Sequence, residues 1–208
     1  MKWNNRSSGI DSGSCNPKVV GPVTFLYKHE KAFLAESGSP SRLWRNKRAS
    51  CTLMNLIAQL LPLSHVITDL DADSKRSVFE QIGQLFENNL HIARSDVFDS
   101  LLIREKLGST GLGQGVAIPH GRIKGLRVAA AALVRMKNPI PFDAPDGKPV
   151  SLICVLLVPE QATDLHLQIL SELAQIFSDK NFRESLLKSR NRIEMHRLMH
   201  NWAPNVPD

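Results

Sequence analysis

The chain has 208 residues, carries a formal charge of +6 at neutral pH, and is 42% apolar and 22% charged. These values exclude a fibrous or wholly disordered chain and leave room for one domain of ordinary size, with or without a tail. No apolar run approaches the ~18 residues of a membrane helix, and the N-terminal region holds neither a compact apolar block nor a cleavage site, so no membrane insertion is expected and a cytoplasmic protein fits best.

Residues 1–53 hold nine Lys/Arg against three Asp/Glu, and residues 54–208 hold 17 of each. The whole excess therefore lies in the first quarter. A nucleic-acid footprint would have to sit there, and no nucleic acid is expected for 54–208. The same stretch is rich in Ser, Gly and Pro and has no sustained period. Residues 19–27 could form a short strand, but Gly21 and Pro22 interrupt it. The expectation is a disordered basic arm, or an extension that precedes a true start at Met54. A basic arm that binds nucleic acid or a membrane surface is the sharper alternative.

From Met54 onward the patterns strengthen. Residues 54–61 read as a helix. Residues 74–89 place Val78, Ile82, Leu85 and Phe86 at a 3.6-residue period. Ser95 is a candidate cap for a second helix, carrying Val97, Phe98, Leu101 and Leu102 and ending near Gly108. A glycine-dense stretch, 108–115, leads into a short buried strand at 116–118 that ends in Pro119-His120-Gly121. Residues 128–136 and 150–158 read as buried strands, separated by a turn at 145–149. Residues 165–177 give the clearest helix, and shorter helical patterns follow at 182–187 and 192–202. Helices interleaved with buried strands define an α/β layered domain.

Several chemistries are excluded by absence of their motifs. There is no Gly-Lys-Ser/Thr for a Walker A loop, and the glycine stretch follows a helix and enters a strand, the reverse of a dinucleotide fingerprint. It reads instead as a loop needing positive φ at several glycines. His196 and His200 have i, i+4 spacing but lack the Glu of H-E-x-x-H. Cys15, Cys51 and Cys154 are odd in number and widely spaced, which argues against a disulfide scaffold or a zinc ribbon. No G-x-S-x-G elbow is present. No cofactor and no metal are expected.

Three residues remain as candidates. His120 follows a short apolar strand between a proline and a glycine, where an imidazole can be base, nucleophile or ligand, or simply exposed. His166 shares a helical face with Ile169, Leu170 and Leu173, so it should point inward. It also lies in the first turn, after the possible cap Thr163 or Asp164, where the helix dipole disfavours imidazolium and favours a nearby anion. A hydrogen-bonded, half-buried histidine is the plain alternative. Arg104, four residues before the glycine stretch, could reach an anion bidentately or could be a solvated surface side chain.

The run Arg104-Glu-Lys-Leu-Gly-Ser-Thr-Gly-Leu-Gly-Gln-Gly-Val-Ala-Ile-Pro-His120-Gly-Arg122 closely resembles the active-site signature of enzyme IIA proteins of the phosphoenolpyruvate phosphotransferase system, fructose/mannitol class, and within it the nitrogen-regulatory branch. The resemblance extends from about Met54 to about Trp202, includes Pro141-Phe-Asp-Ala and the segment around His166, and does not cover residues 1–53. It implies a mixed five-stranded sheet with helices on both faces. It implies His120 as phosphohistidine, with His166 and Arg104 as its active-site neighbours. It further implies a phosphorylated HPr-like carrier as donor, and regulated target proteins or a IIB domain as later partners. The expected domain is 54–208, preceded by the extension 1–53.

Overall fold

The computed structural model describes residues 55–161 and 164–203. The expected basic arm at 1–53, its possible strand at 19–27, Cys15, Cys51, the start at Met54 and the cap Thr163 all lie outside these residues.

The helices are α1 (Leu56–Leu60), α2 (Lys75–Leu90), α3 (Arg94–Lys106), α4 (Asp164–Ser178), α5 (Lys180–Lys188) and α6 (Arg192–His200). The strands are β1 (Val66–Leu70), β2 (Gly111–Gly113), β3 (Val116–Ala117), β4 (His120–Ile123), β5 (Ala130–Ile140) and β6 (Val150–Pro159). The sheet is mixed and runs β1-β5-β6-β3-β2, with β4 also on β6. Pairing is antiparallel for β5 with β6 and β2 with β3, and parallel for β1 with β5 and for β3 and β4 with β6. The mixed sheet and its helical layers agree with expectation. The sheet has six strands rather than five, with β3 and β4 lying in one continuous register along β6.

The central strands are buried on both faces, and the core accordingly has two halves. One packs Leu133, Leu156 and Val158 against Ile57, Ile169, Leu173, Leu186, Met195 and Met199, from α1 and α4 to α6. The other packs Val134, Ile153 and Leu157 against Val78, Phe79, Ile82, Phe86, Val97 and Leu101, from α2 and α3. Alternate residues of β5 and β6 thus face opposite helical layers, as the two-residue period of a strand dictates.

Local chemistry explains most boundaries. Ser74 caps α2 by accepting from Ser77 N at 3.3 Å, and His91 closes that helix in the left-handed region at φ 56°. Asn55 accepts from Ala58 N while its amide donates to Met199 O and Trp202 O, which ties the start of α1 to the end of α6. Glu172 on α4 takes the next two amides, Leu56 N and Ile57 N, each at 3.0 Å. The orphan donors of this short helix are thus satisfied by distant residues.

Ser95 does not cap α3. The helix begins at Arg94, with Ala93 at the cap position and no side-chain cap bond of its own. Glu87 of α2 accepts from Arg94 N at 3.2 Å instead. Cys154 lies fully buried in β6, and burial pushes its thiol up to about 12, so it is inert as a nucleophile. Among the described residues no helix is long and apolar enough to cross a membrane.

Candidate active site

β3 and β4 are two pieces of one broken strand lying along the same edge of β6. Val116 and Ala117 pair with Leu152 and Ile153, and His120 to Ile123 pair with Leu156 to Pro159. Pro119 has no N–H and interrupts the ladder between them, while its carbonyl still accepts from Leu156 N at 2.9 Å. His120 follows the short strand, as expected, and is itself the first residue of a further strand, β4.

Side chains alternate along β4. Gly121 and Ile123 face inward; His120 and Arg122 face outward. Gly121 lies against α3. A Cβ at that position would run into Ser100 Oγ and come within 3.1 Å of Ser100 Cβ. Ser100 Oγ also donates to Arg122 O at 3.0 Å, stitching α3 to β4. This close approach brings the last turn of α3, with Arg104, over His120.

The resulting geometry is tight. Arg104 Nε donates to His120 Nε2 at 2.9 Å, and its terminal nitrogen donates to Gly108 O at 2.9 Å. His120 Nδ1 lies 3.0 Å from Ile118 O. A carbonyl can only accept, so Nδ1 carries the proton and Nε2 carries the lone pair. The rings of His120 and His166 meet edge to face, with centroids 5.3 Å apart. His166 is buried in the first turn of α4, and its Nε2 has no hydrogen-bond partner among the described residues. A cavity of about 400 Å³ joins Arg104, His120, Arg122 and His166. Sequence-predicted His120, His166 and Arg104 thus come together.

Electrostatics keep both imidazoles neutral. Burial pushes His120 below its ordinary value of 6.5. The Ile118 carbonyl pulls upward, the Arg104 charge adds to the lowering, and the Glu105 carboxylate opposes it. His166 is lowered first by burial, then by the repulsion its protonated form would meet from a protonated His120 and from Arg122 and Arg104.

Sequence reasoning gave no role to two further residues. Arg122 is two residues beyond His120 on a strand, so period two alone puts both on one face. Glu105 has a side chain only 8% exposed; it binds Lys75 Nζ at 2.7 Å and accepts from Thr110 N at 3.1 Å and Thr110 Oγ1 at 2.6 Å. It pins the start of the glycine stretch to α3, beside Arg104. Within that stretch Gly113 and Gly115 adopt φ of 86° and 79°, as glycine permits. His196 and His200 stack at 5.9 Å, and His196 Nε2 lies 2.9 Å from Leu61 O. Among the described residues no cluster of three or more His, Cys, Asp or Glu could hold a metal ion.

A mixed sheet with helices on both faces, a strand-borne His-Gly-Arg and an arginine donating to that histidine fit a type 2 enzyme IIA domain. Residues 59–202 match the family model described as "Phosphoenolpyruvate-dependent sugar phosphotransferase system, EIIA 2", and the chain belongs to that family. It is 40% identical over 131 residues to a nitrogen regulatory protein of Pseudomonas aeruginosa, covering 62% of this chain and 85% of that one. The crystal structure of nitrogen regulatory protein IIA-Ntr from Neisseria meningitidis is 53% identical, covers 69% of this chain and 99% of its own, and superposes with a TM-score of 0.66. Escherichia coli enzyme IIA for mannitol, solved in complex with phosphorylated enzyme IIB, shares the fold at 19% identity and a TM-score of 0.58, with 67% and 98% covered.

Proposed function

We propose that this domain is a histidine phosphocarrier whose acceptor atom is Nε2 of His120. The donor is the phosphohistidine of an HPr-like protein. The His120 lone pair attacks phosphorus in line, the new N–P bond forms as the donor's N–P bond breaks, and the donor imidazole keeps the bonding pair and takes up a proton. His120 keeps its Nδ1 proton hydrogen-bonded to Ile118 O, which holds the ring in place through the transfer.

The observation that carries this reading is the division of labour at His120. Nδ1 is fixed on a carbonyl while Nε2 faces a guanidinium and an open cavity. Arg104 would leave the lone pair to bind the equatorial oxygens as negative charge builds there. The unpartnered, neutral His166, whose ring meets that of His120 edge to face, supplies a further donor. Ile103 and Leu107, on the cavity rim, and Leu165 and Leu167, flanking His166, are exposed and suit a partner protein's apolar surface.

The downstream role we assign is nitrogen or metabolic regulation through protein binding that depends on phosphorylation. Adding about two negative charges to a docking face changes which partners it accepts. Similarity to nitrogen regulatory proteins favours this reading. The second reading, a sugar-specific component passing its phosphoryl group to a IIB domain, draws on the shared fold of the mannitol enzyme IIA. Incubation with phosphoenolpyruvate, enzyme I and HPr, followed by a fructose- or mannitol-type IIB domain, tests both. The regulatory reading expects label on this chain that returns to HPr and does not reach IIB. Rapid onward flow to IIB would favour the sugar-specific reading, and no label at all would overturn both.

A further inference from the structure

A second cleft, of about 650 Å³, opens between the end of the glycine stretch, the start of β6 and α5. It shares no lining residue with the cavity at His120. Its walls carry three cations, Lys148, Lys180 and Arg183, and one carboxylate, Glu184. That carboxylate is already divided between Lys180 at 3.9 Å and Lys188 at 3.3 Å.

Arg183 is the unusual member. It is only 8% exposed, and among the described residues it makes no ion pair. One guanidinium nitrogen donates to Phe177 O at 2.6 Å and Ser178 O at 2.9 Å, closing the end of α4, and the other donates to Gln114 Oε1. All three acceptors are neutral. A buried cation held only by amide dipoles retains a large unmet attraction for negative charge. Lys148 likewise makes no ion pair among the described residues. Its neighbour Asp146 accepts from the backbone N–H of Gln114 at 2.7 Å and of Lys148 at 3.2 Å. Pro139, Pro149, Leu152 and Leu187 supply an apolar lining beside these charges.

We propose that this cleft binds a small organic anion, a phosphate ester or a carboxylate, at a site separate from the His120 centre. Lys148 and Lys180 meet the charged group at the mouth, Arg183 attracts it from within, and the apolar wall accepts a compact carbon body. The site also touches the phosphoryl-transfer machinery through the chain. Gln114 stands in the left-handed region at φ 54°, held there by Asp146 and Arg183, and Gly115 O takes both Ser151 N and Leu152 N. A ligand that draws on Arg183 therefore competes for the anchor of the segment leading into β3 and His120.

Backbone amide NMR of the full chain tests this, with inorganic phosphate and succinate as separate probes and sodium chloride at matched ionic strength as control. The expected result is saturable shifts at Gln114, Gly115, Ser151 and Lys180 with at least one probe, with affinity in the range of about 1 mM or tighter. Phosphate alone would point to phosphate esters, succinate alone to carboxylates. A Lys148→Ala, Lys180→Ala double variant, which leaves the Arg183 hydrogen bonds intact, should weaken binding at least about tenfold. His120→Ala should leave it unchanged, which separates this site from the transfer centre. Shifts no larger than with chloride, shifts confined to Arg104, His120 and His166, or undiminished affinity in the double variant would overturn the proposal.

Discussion

The Arg104 guanidinium donates from Nε to His120 Nε2 across 2.9 Å, so the imidazole lone pair is covered by a cation. Nδ1 is simultaneously committed to Ile118 O. On the proposed mechanism, a phosphorus atom approaching Nε2 would displace Arg104 and leave the guanidinium beside the oxygens it can best stabilise, so that one side chain would first cover the nucleophile and then complement the transition state.

Replacing that donor should cost rate rather than fold. Arg104→Ala and Arg104→Lys should each slow phosphoryl transfer by about 10²–10³, since a lysine cannot reproduce the planar fork. His166→Ala should give a loss of similar order. Circular dichroism should show all three folded. Wild-type rates in a quench-flow assay with phosphorylated HPr would mark Arg104 as a surface residue and His166 as a core one.

The lowered imidazoles set the pH dependence. With His120 and His166 both below the ordinary 6.5, the rings are neutral at pH 7 and the acceptor lone pair is available. Transfer should be flat above neutrality and fall as acidification protonates His120, at a midpoint below 6.5. Stability follows the same sign. The unfolded chain takes up protons near 6.5 while the folded protein resists, so stability is full above 6.5 and is lost as pH falls through the folded values. Buried His65, also lowered chiefly by burial, adds to that loss. Histidine side-chain NMR titration checks the order, and a His120 midpoint above 6.5 would contradict it.

Glu105 is expected to act as a positioning residue. Its carboxylate joins Lys75 to Thr110 and raises the proton affinity of His120. Glu105→Gln should lower the His120 midpoint further, slow transfer, and cost about 1–3 kcal/mol of stability from a weakened buried pair. Lys75→Met, which leaves the Thr110 contacts in place, should affect transfer less. A purely structural Glu105 would lower stability and leave the His120 titration where it was.

Much of this arrangement was legible in the chain. The 3.6-residue spacing of Val78, Ile82 and Phe86 located α2, and the apolar runs around Leu133 and Val155 located the central strands. His166 was placed inward by the same spacing. What escaped detection depends on distant partners. α3 starts at Arg94 because Glu87 from another helix reaches its amide. β1 is a short segment whose strand state is fixed by parallel pairing with β5. β4 contains His, Gly and Arg, and only the neighbouring β6 makes it a strand. Arg122 and Glu105 stood inside the recognised motif, but their contacts become visible only once α3 crosses β4.

Gly121 tests that crossing. Gly121→Ala places a methyl group against Ser100 and must push α3 away from β4. Overpacking of this kind costs about 1–3 kcal/mol. It should also lengthen the Arg104–His120 contact, so transfer should fall more than stability. Ser100→Gly in the same chain, which makes room for the methyl group, should restore part of the rate. Equal losses in the single and double variants would show that the close approach does not set the geometry.

The most direct test of the account is the chemical identity of the phosphorylated atom. After transfer from phosphorylated HPr, phosphorus-to-nitrogen correlation NMR on the labelled chain should find a single N–P bond at Nε2 of His120, acid-labile and base-stable, and His120→Ala should take up no label. A phosphoryl group on Nδ1, on His166 or on a hydroxyl, or undiminished labelling of His120→Ala, would contradict it.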